Sequence, residues 1–163
     1  MSAPVLLPPA WVEQVSGYPA EGGPTGADWL ATVPRLVAEG LARELLADDG
    51  PELLLHTDLH YENVLLRRDG SYVAIDPKPL AGHPGYDVFP LLHNRVDELG
   101  TGAALRWSVR HRVTLVAEAA GIDAEEARVW SLLRAGIEVS WTSTEGDPDR
   151  LSRAIALHKA LDD

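Results

Sequence analysis

Four polar residues in one short segment have the types and spacing for chemistry. Residues 53–87 read LLLHTDLHYENVLLRRDGSYVAIDPKPLAGHPGYD, with His56, Asp58, Asn63 and Asp76 at or near the ends of apolar runs. Asp58 and Asn63 have four residues between them, and His56 stands two before the aspartate. That spacing matches the loop on which phosphoryl-transfer enzymes of the kinase type carry out catalysis. Moving a γ-phosphoryl group needs an acceptor for the substrate hydroxyl proton and ligands for Mg²⁺ bridging the phosphates. Asp58 suits the first need. Asn63 and Asp76 supply hard oxygen donors for the second.

Each residue also has a plainer reading. His56 ends an apolar strand and is expected to hold the loop by hydrogen bonds rather than touch a substrate. His60 reads as partly exposed scaffold, and Tyr61 and Glu62 as loop surface. Asp76 before Pro77 is also a turn signal. Asp87 is placed to cap a following helix and to brace the loop. A rival reading takes His56, Asp58 and His60 as His-x-Asp-x-His, with His83, Asp87 and His93 downstream, as a metal-dependent hydrolase site. It leaves Asn63 and the return to Asp76 unexplained.

The elements that must position these groups follow from the pattern. Leu53–Leu55, Val64–Leu66 and Tyr72–Ile75 read as short strands, and Arg68-Asp69-Gly70 as a hairpin turn that folds Asp76 back beside the loop. Before them, Thr32 as N-cap and Pro34 in a first turn predict a helix running to about Ala47. Residues 1–26, rich in Pro and Gly, read as a loosely structured lead-in with one short helical turn near Trp11, and residues 27–163 as one domain. Beyond the strands, residues 81–85 read as a Gly/Pro loop and 86–99 as a helix. Helices are also expected over 103–120, from an Asp123 cap with Glu126 as its capping-box partner to about Trp141, and from an Asp147 cap with Pro148. The fold class is α+β, mostly helical, with a small β-hairpin platform. Trp107, Trp130 and Trp141 are expected in the core. Glu138, Glu145 and Asp147 are expected in solvated or capping roles, and Arg106, Arg110 and Arg112 as balancing neighbouring acids.

Composition narrows the partners. The chain has 163 residues and a formal net charge of −11, which disfavours a nucleic-acid backbone and favours a cationic small molecule. It has no cysteine, which excludes disulfides, thiolate metal sites and a cysteine nucleophile. No run reaches the length of a membrane span and no secretory signal opens the chain, so a cytoplasmic location without membrane association is expected.

The runs His56-Thr57-Asp58-Leu59-His60-Tyr61-Glu62-Asn63-Val64-Leu65 and Ala74-Ile75-Asp76-Pro77-Lys78-Pro79-Leu80-Ala81-Gly82 resemble the aminoglycoside phosphotransferase family. The resemblance is to the branch of streptomycin 6-kinases and aminoglycoside/hydroxyurea antibiotic resistance kinases. It implies the helical C-terminal lobe of a protein-kinase-like fold over roughly residues 50–160. It implies Asp58 as catalytic base, Asn63 and Asp76 as Mg²⁺ ligands, and ATP as phosphoryl donor to a hydroxyl of an aminoglycoside-like molecule. Thr57 stands where the family usually has Gly, and His83 where Asp is common. The family's N-terminal lobe has about five strands and a lysine on the ATP phosphates, whereas the two lysines here, Lys78 and Lys159, both follow the loop. The resemblance therefore implies an internal deletion near residues 43–46. The alternative expectation is a non-catalytic binding module derived from the same family.

Overall fold

The computed structural model describes residues 26–45, 47 and 52–162. The lead-in over 1–25, with the turn near Trp11, and most of the 46–51 junction lie outside the described residues. The elements in order are α1 (Gly26–Leu45), β1 (Leu53–Leu55), β2 (Val64–Leu66), β3 (Tyr72–Ala74), β4 (Leu80–Gly82), α2 (Phe89–His93), α3 (Gly102–Ala120), α4 (Ala124–Glu145) and α5 (Pro148–Leu161). Helix dominates and the strands form two small antiparallel ladders, an α+β arrangement. No described helix is long and apolar enough to cross a membrane. The chain divides into two compact parts, Gly50–Ser131 and the remainder, which is α1 together with Leu132 onward.

In the first part, β2 pairs with β3 in the register Val64↔Ala74, Leu65↔Val73, Leu66↔Tyr72, as the hairpin signal predicted. The turn closes by Arg67 N–H to Ser71 O at 2.7 Å, with Gly70 at φ +84° and Asp69 accepting from the Ser71 amide and hydroxyl. The expected loop over 81–85 is corrected. Leu80–Gly82 is a strand, and it pairs with β1 in the register Leu53↔Gly82, Leu54↔Ala81, Leu55↔Leu80. Its Gly and Pro neighbours hid it, because the pairing is decided by β1, some thirty positions earlier.

The helix expected over 86–99 is also corrected. The segment is a 3₁₀ turn at Pro84–Asp87, the short α2, and a second 3₁₀ turn at Val96–Leu99. Two features break it. Pro90 has no amide hydrogen to give, and Arg95 adopts a left-handed φ of +61°. On α3, Leu105, Val109, Val113 and Ala117 are buried at helical spacing. Trp107 lies two residues from Leu105, on the opposite side, and is 68 % exposed against His111, contrary to the expectation that it is core. Trp130 on α4 is buried as expected. The Asp123 carboxylate accepts from the Glu125 and Glu126 amides and so caps α4. The Glu126 side chain turns instead to His83.

In the second part, α1 begins at Gly26, so Thr32 is inside it and Pro34 is an interior proline rather than a first-turn one. Helix α4 passes close to α1 at Gly136: a Cβ there would sit 2.6 Å from Ala38 Cβ and 2.7 Å from the Pro34 carbonyl oxygen. Absence of a side chain is what permits this approach. Val139, Ala154 and Ile155 form a buried apolar cluster with Leu151 packed on it. Asp147 caps α5 by accepting from the Asp149 and Arg150 amides, with Pro148 in the first turn, as expected. Glu138 and Glu145 both pair with Arg150.

His158 is buried at 2 % exposure, and its Nε2 has no hydrogen-bond partner among the described residues. Burial pushes its pKa below the ordinary value, with nearby Asp162 opposing. The fold therefore keeps it neutral while the unfolded chain takes up a proton below the ordinary value of 6.5. The unfolded state binds more protons there, so this contribution to stability is complete above that pH and is lost as the pH falls below it. Urea midpoints at pH 7.5 and 5.5 are expected to drop on acidification more in the wild type than in His158→Leu. At the helix crossing, Gly136→Ala is expected to cost about 1–3 kcal/mol through overpacking. Gly40→Ala, exposed and with nothing within 4 Å of the new Cβ, is expected to gain about 0.4–1 kcal/mol. Equilibrium urea denaturation of the two variants checks this opposition of sign.

Candidate active site

The loop from His56 to Asn63 begins where β1 ends and leads directly into β2. Opposite it lies the stretch from Ile75 to Pro79, which joins β3 to β4. Both ladders continue into this pair of segments. The Lys78 amide donates to the His56 carbonyl at 2.9 Å, just past the β1–β4 ladder and one residue out of its register, and the Ile75 amide donates to the Asn63 carbonyl at 2.9 Å, extending the β2–β3 ladder. Asp58, Asn63 and Asp76 are thus carried by two adjoining segments of backbone.

Two residues of this region have left-handed backbone, Thr57 at φ +59° and Asp76 at φ +55°. For a β-branched residue that conformation is strained. It accounts physically for a preference for Gly at position 57. Thr57 is retained by its contacts. Its hydroxyl donates to the Lys78 carbonyl at 2.6 Å, and its amide donates to Asp87 Oδ1 at 2.7 Å. The second oxygen of Asp87 accepts from the His56 amide, also at 2.7 Å. Asp87 therefore braces the loop with both oxygens, one of the two roles expected of it. It ends the Pro84–Asp87 turn, in which His83 Nδ1 accepts from the Gly85 amide. That turn is clamped by α4: the His83 ring stacks on Trp130 with centroids 5.0 Å apart, and Nε2 of His83 lies 3.1 Å from Glu126. A Cβ at Gly85 would come within 2.7 Å of the Trp130 ring, so the turn and the indole pack backbone to face.

His56 Nε2 donates to the Ile75 carbonyl at 2.9 Å, tying the loop to the segment of Asp76. His60 Nε2 lies 3.8 Å from Asp58 Oδ1, a through-space approach rather than a hydrogen bond. The hydrolase set does not come together. His83 is committed to Trp130 and Glu126, His93 stacks on Phe89, and Asp87 faces two amides. Among the described residues no three His, Asp or Glu side chains are grouped to hold a metal ion.

Asn63 is buried, and its amide nitrogen donates to the Asp58 carbonyl at 2.9 Å. This bond fixes which way the carboxamide points and leaves Oδ1 as its acceptor. Asp76 is exposed. Asp58 is half-buried, with Lys78 Nζ 2.6 Å from its Oδ2. That contact was not read from the sequence, where Lys78 appeared only within a motif. No local pattern signals it, since the two residues lie twenty positions apart and only the pairing of their segments brings them together. Asp58 raises the Lys78 pKa by its hydrogen bond and its charge, and Asp76 adds a smaller field in the same direction.

Comparison with known proteins places this arrangement. Residues 6–146 match the family described as aminoglycoside/hydroxyurea antibiotic resistance kinase. The chain belongs to that family. It is 35 % identical over 134 residues to a streptomycin 6-kinase of Streptomyces glaucescens, covering 82 % of this chain and 40 % of that protein. It is 34 % identical over 152 residues to a streptomycin 6-kinase of Streptomyces griseus, covering 91 % and 49 %. A hydroxyurea phosphotransferase of Kitasatospora aureofaciens is 35 % identical over 154 residues, covering 85 % and 42 %. The chain thus spans about half the length, or less, of these curated relatives. No solved structure matches it.

The grip of Asp87 is directly testable. Asp87→Ala leaves two loop amides without their charged acceptor and is expected to cost about 2–3 kcal/mol. Asp87→Asn, which keeps one acceptor oxygen, is expected to lose less. Urea denaturation gives the size of the loss, and hydrogen exchange at the His56 and Thr57 amides shows whether it is local to the loop.

Proposed function

We propose that this chain carries the catalytic loop of a small-molecule kinase that transfers the γ-phosphoryl group of ATP to a hydroxyl of an aminoglycoside-like acceptor. In this reading residues 27–163 form the C-terminal lobe of a protein-kinase-like fold. The observation that carries it is the pairing of the loop that holds Asp58 and Asn63 with the segment that holds Asp76, in a member of an antibiotic kinase family. Asp58 is the group that receives the acceptor's hydroxyl proton; its backbone carbonyl is anchored by Asn63 and the loop before it by Asp87.

The donor set suits Mg²⁺. Asn63 Oδ1 and the Asp76 carboxylate are hard oxygens, and the Asn63 amide is turned so that its nitrogen faces protein. Two protein ligands are what this ion takes when phosphates and water complete its shell. Bound there, Mg²⁺ would neutralise charge on the phosphates. The net charge of −11 favours a cationic acceptor. Streptomycin is the first acceptor to test and hydroxyurea the second, because relatives bearing those names share about a third of their aligned residues with this chain. The internal deletion near residues 43–46 belongs to the same reading, and sequencing the coding DNA across that junction tests it.

Transfer of labelled phosphate from ATP to streptomycin, measured for the wild type and Asp58→Ala, decides the central point. The expected result is a loss of ~10²–10⁴-fold in the variant, the range for removing a positioned proton acceptor. Equal rates would show that Asp58 has no part in transfer and would leave the non-catalytic binding module as the better reading. Asn63→Ala and Asp76→Ala are expected to raise the Mg²⁺ concentration needed for half-maximal rate.

A further inference from the structure

Lys78 is placed as no surface lysine needs to be. Pro77 and Pro79 flank it, so ring-locked φ angles on either side and the restriction that proline imposes on its predecessor set its backbone as extended. Its amide donates to the His56 carbonyl at 2.9 Å and its carbonyl accepts from the Thr57 hydroxyl at 2.6 Å. The Cα is therefore tied to the catalytic loop on both sides. The side chain differs: it is 69 % exposed, and its ammonium meets Asp58 Oδ2 at 2.6 Å. An ion pair so open to water holds its partner weakly and exchanges readily. The backbone is fixed and the exposed side chain carries its charged tip into solvent.

This contact occupies an oxygen of the one carboxylate that has to accept a proton. Asp58 has two oxygens, with His60 3.8 Å from Oδ1 and Lys78 on Oδ2. A hydroxyl that binds to Oδ2 either shares that oxygen with the ammonium through its second lone pair or displaces it. The incoming phosphoryl group brings negative charge to the same place.

We propose that Lys78 is a phosphate-binding residue of the transfer step, resting on Asp58 and passing to the transferring phosphoryl group when the acceptor hydroxyl takes its place. The proposal rests on the kinase reading above. As the step runs, the acceptor O–H bond breaks and its proton goes to the Asp58 carboxylate. The acceptor oxygen forms the new bond to the γ-phosphorus of ATP, and the bond from that phosphorus to the bridging oxygen breaks, its electron pair leaving with ADP. Lys78 stays protonated throughout and offsets charge on the equatorial phosphoryl oxygens, where a fixed donor is worth most.

The whole chain has two lysines, so ¹³Cε-lysine labelling gives two signals, assigned by Lys159→Arg. In the free protein the Lys78 signal is expected to differ in chemical shift between the wild type and Asp58→Asn, because its ammonium meets Asp58 Oδ2. On adding Mg²⁺ with a non-hydrolysable ATP analogue and streptomycin, the Lys78 signal is expected to shift, the Lys159 signal to stay, and the sensitivity of Lys78 to Asp58→Asn to disappear. If the Asn63 and Asp76 amide signals move with nucleotide while Lys78 does not, the proposal is overturned and the kinase reading stands. If no signal moves, the kinase reading fails and takes the proposal with it. In the transfer assay Lys78→Met is expected to lower kcat by ~10²–10³-fold with little change in the KM for streptomycin, and Lys78→Arg to restore part of it. A Lys78→Met rate equal to or above the wild type would overturn the proposal, since the ammonium would then only obstruct Asp58.

Discussion

The double hydrogen bond from the His56 and Thr57 amides to Asp87 is the constraint on which the candidate site depends. Strand β1 ends at Leu55, and the next two amides must find acceptors outside the ladder or be left unmet in a half-buried loop. One carboxylate takes both. Its own position follows from the Pro84–Asp87 turn, which is seated by His83 stacked on Trp130 and by Gly85 lying against the same indole. A buried aromatic residue on α4 is thereby linked, through one turn and one carboxylate, to the backbone one residue before Asp58. Loss of any link would loosen the amide bonds that help sustain the left-handed Thr57.

The ladders alone would not hold this geometry. Each has three residues per strand, and Leu54, Leu66 and Tyr72 are largely exposed on them. Two-stranded pairings of this size are marginal in water. What fixes them is that the segment from Tyr72 to Gly82 serves both, pairing with β2 at one end and β1 at the other. Bonds between the two runs close the gap between the ladders: His56 to Ile75, Thr57 to Lys78, Ile75 to Asn63. Pro77 and Pro79 stiffen the stretch where both ladders have ended.

What was legible in the sequence is what local chemistry decides. The Asp123 and Asp147 caps, the hairpin turn at Asp69-Gly70 and the helix over 103–120 each depend on residues a few positions apart. The loop motif was legible for the same reason, its spacing being short. Strand β4 was missed because its partner is far away in the chain and its own residues are small and flanked by turn formers. The continuous helix expected over 86–99 does not form although its apolar spacing is helical, because the left-handed Arg95 and Pro90 override that spacing. Trp107 shows the limit of residue type as a guide to burial, since its place on α3 opposite Leu105 decided its exposure. The Asp58–Lys78 pair needed two segments twenty residues apart to be brought side by side.

That pair also bears on why an acidic chain carries a lysine here. Asp58 and Asp76 are carried on adjoining backbone segments, and carboxylates on neighbouring segments repel each other and draw cations. Lys78 supplies a compensating charge from within the motif, on a backbone too constrained to wander and a side chain too exposed to be held firmly. A buried guanidinium fork would neutralise the same carboxylates more strongly, but its several bonds would resist displacement. A single-point ammonium on a flexible stem satisfies the resting site and yields it to a competing ligand. The strained backbone at Thr57 is then a local cost beside Asp58, offset by the Asp87 carboxylate and the turn that carries it rather than by the ladders.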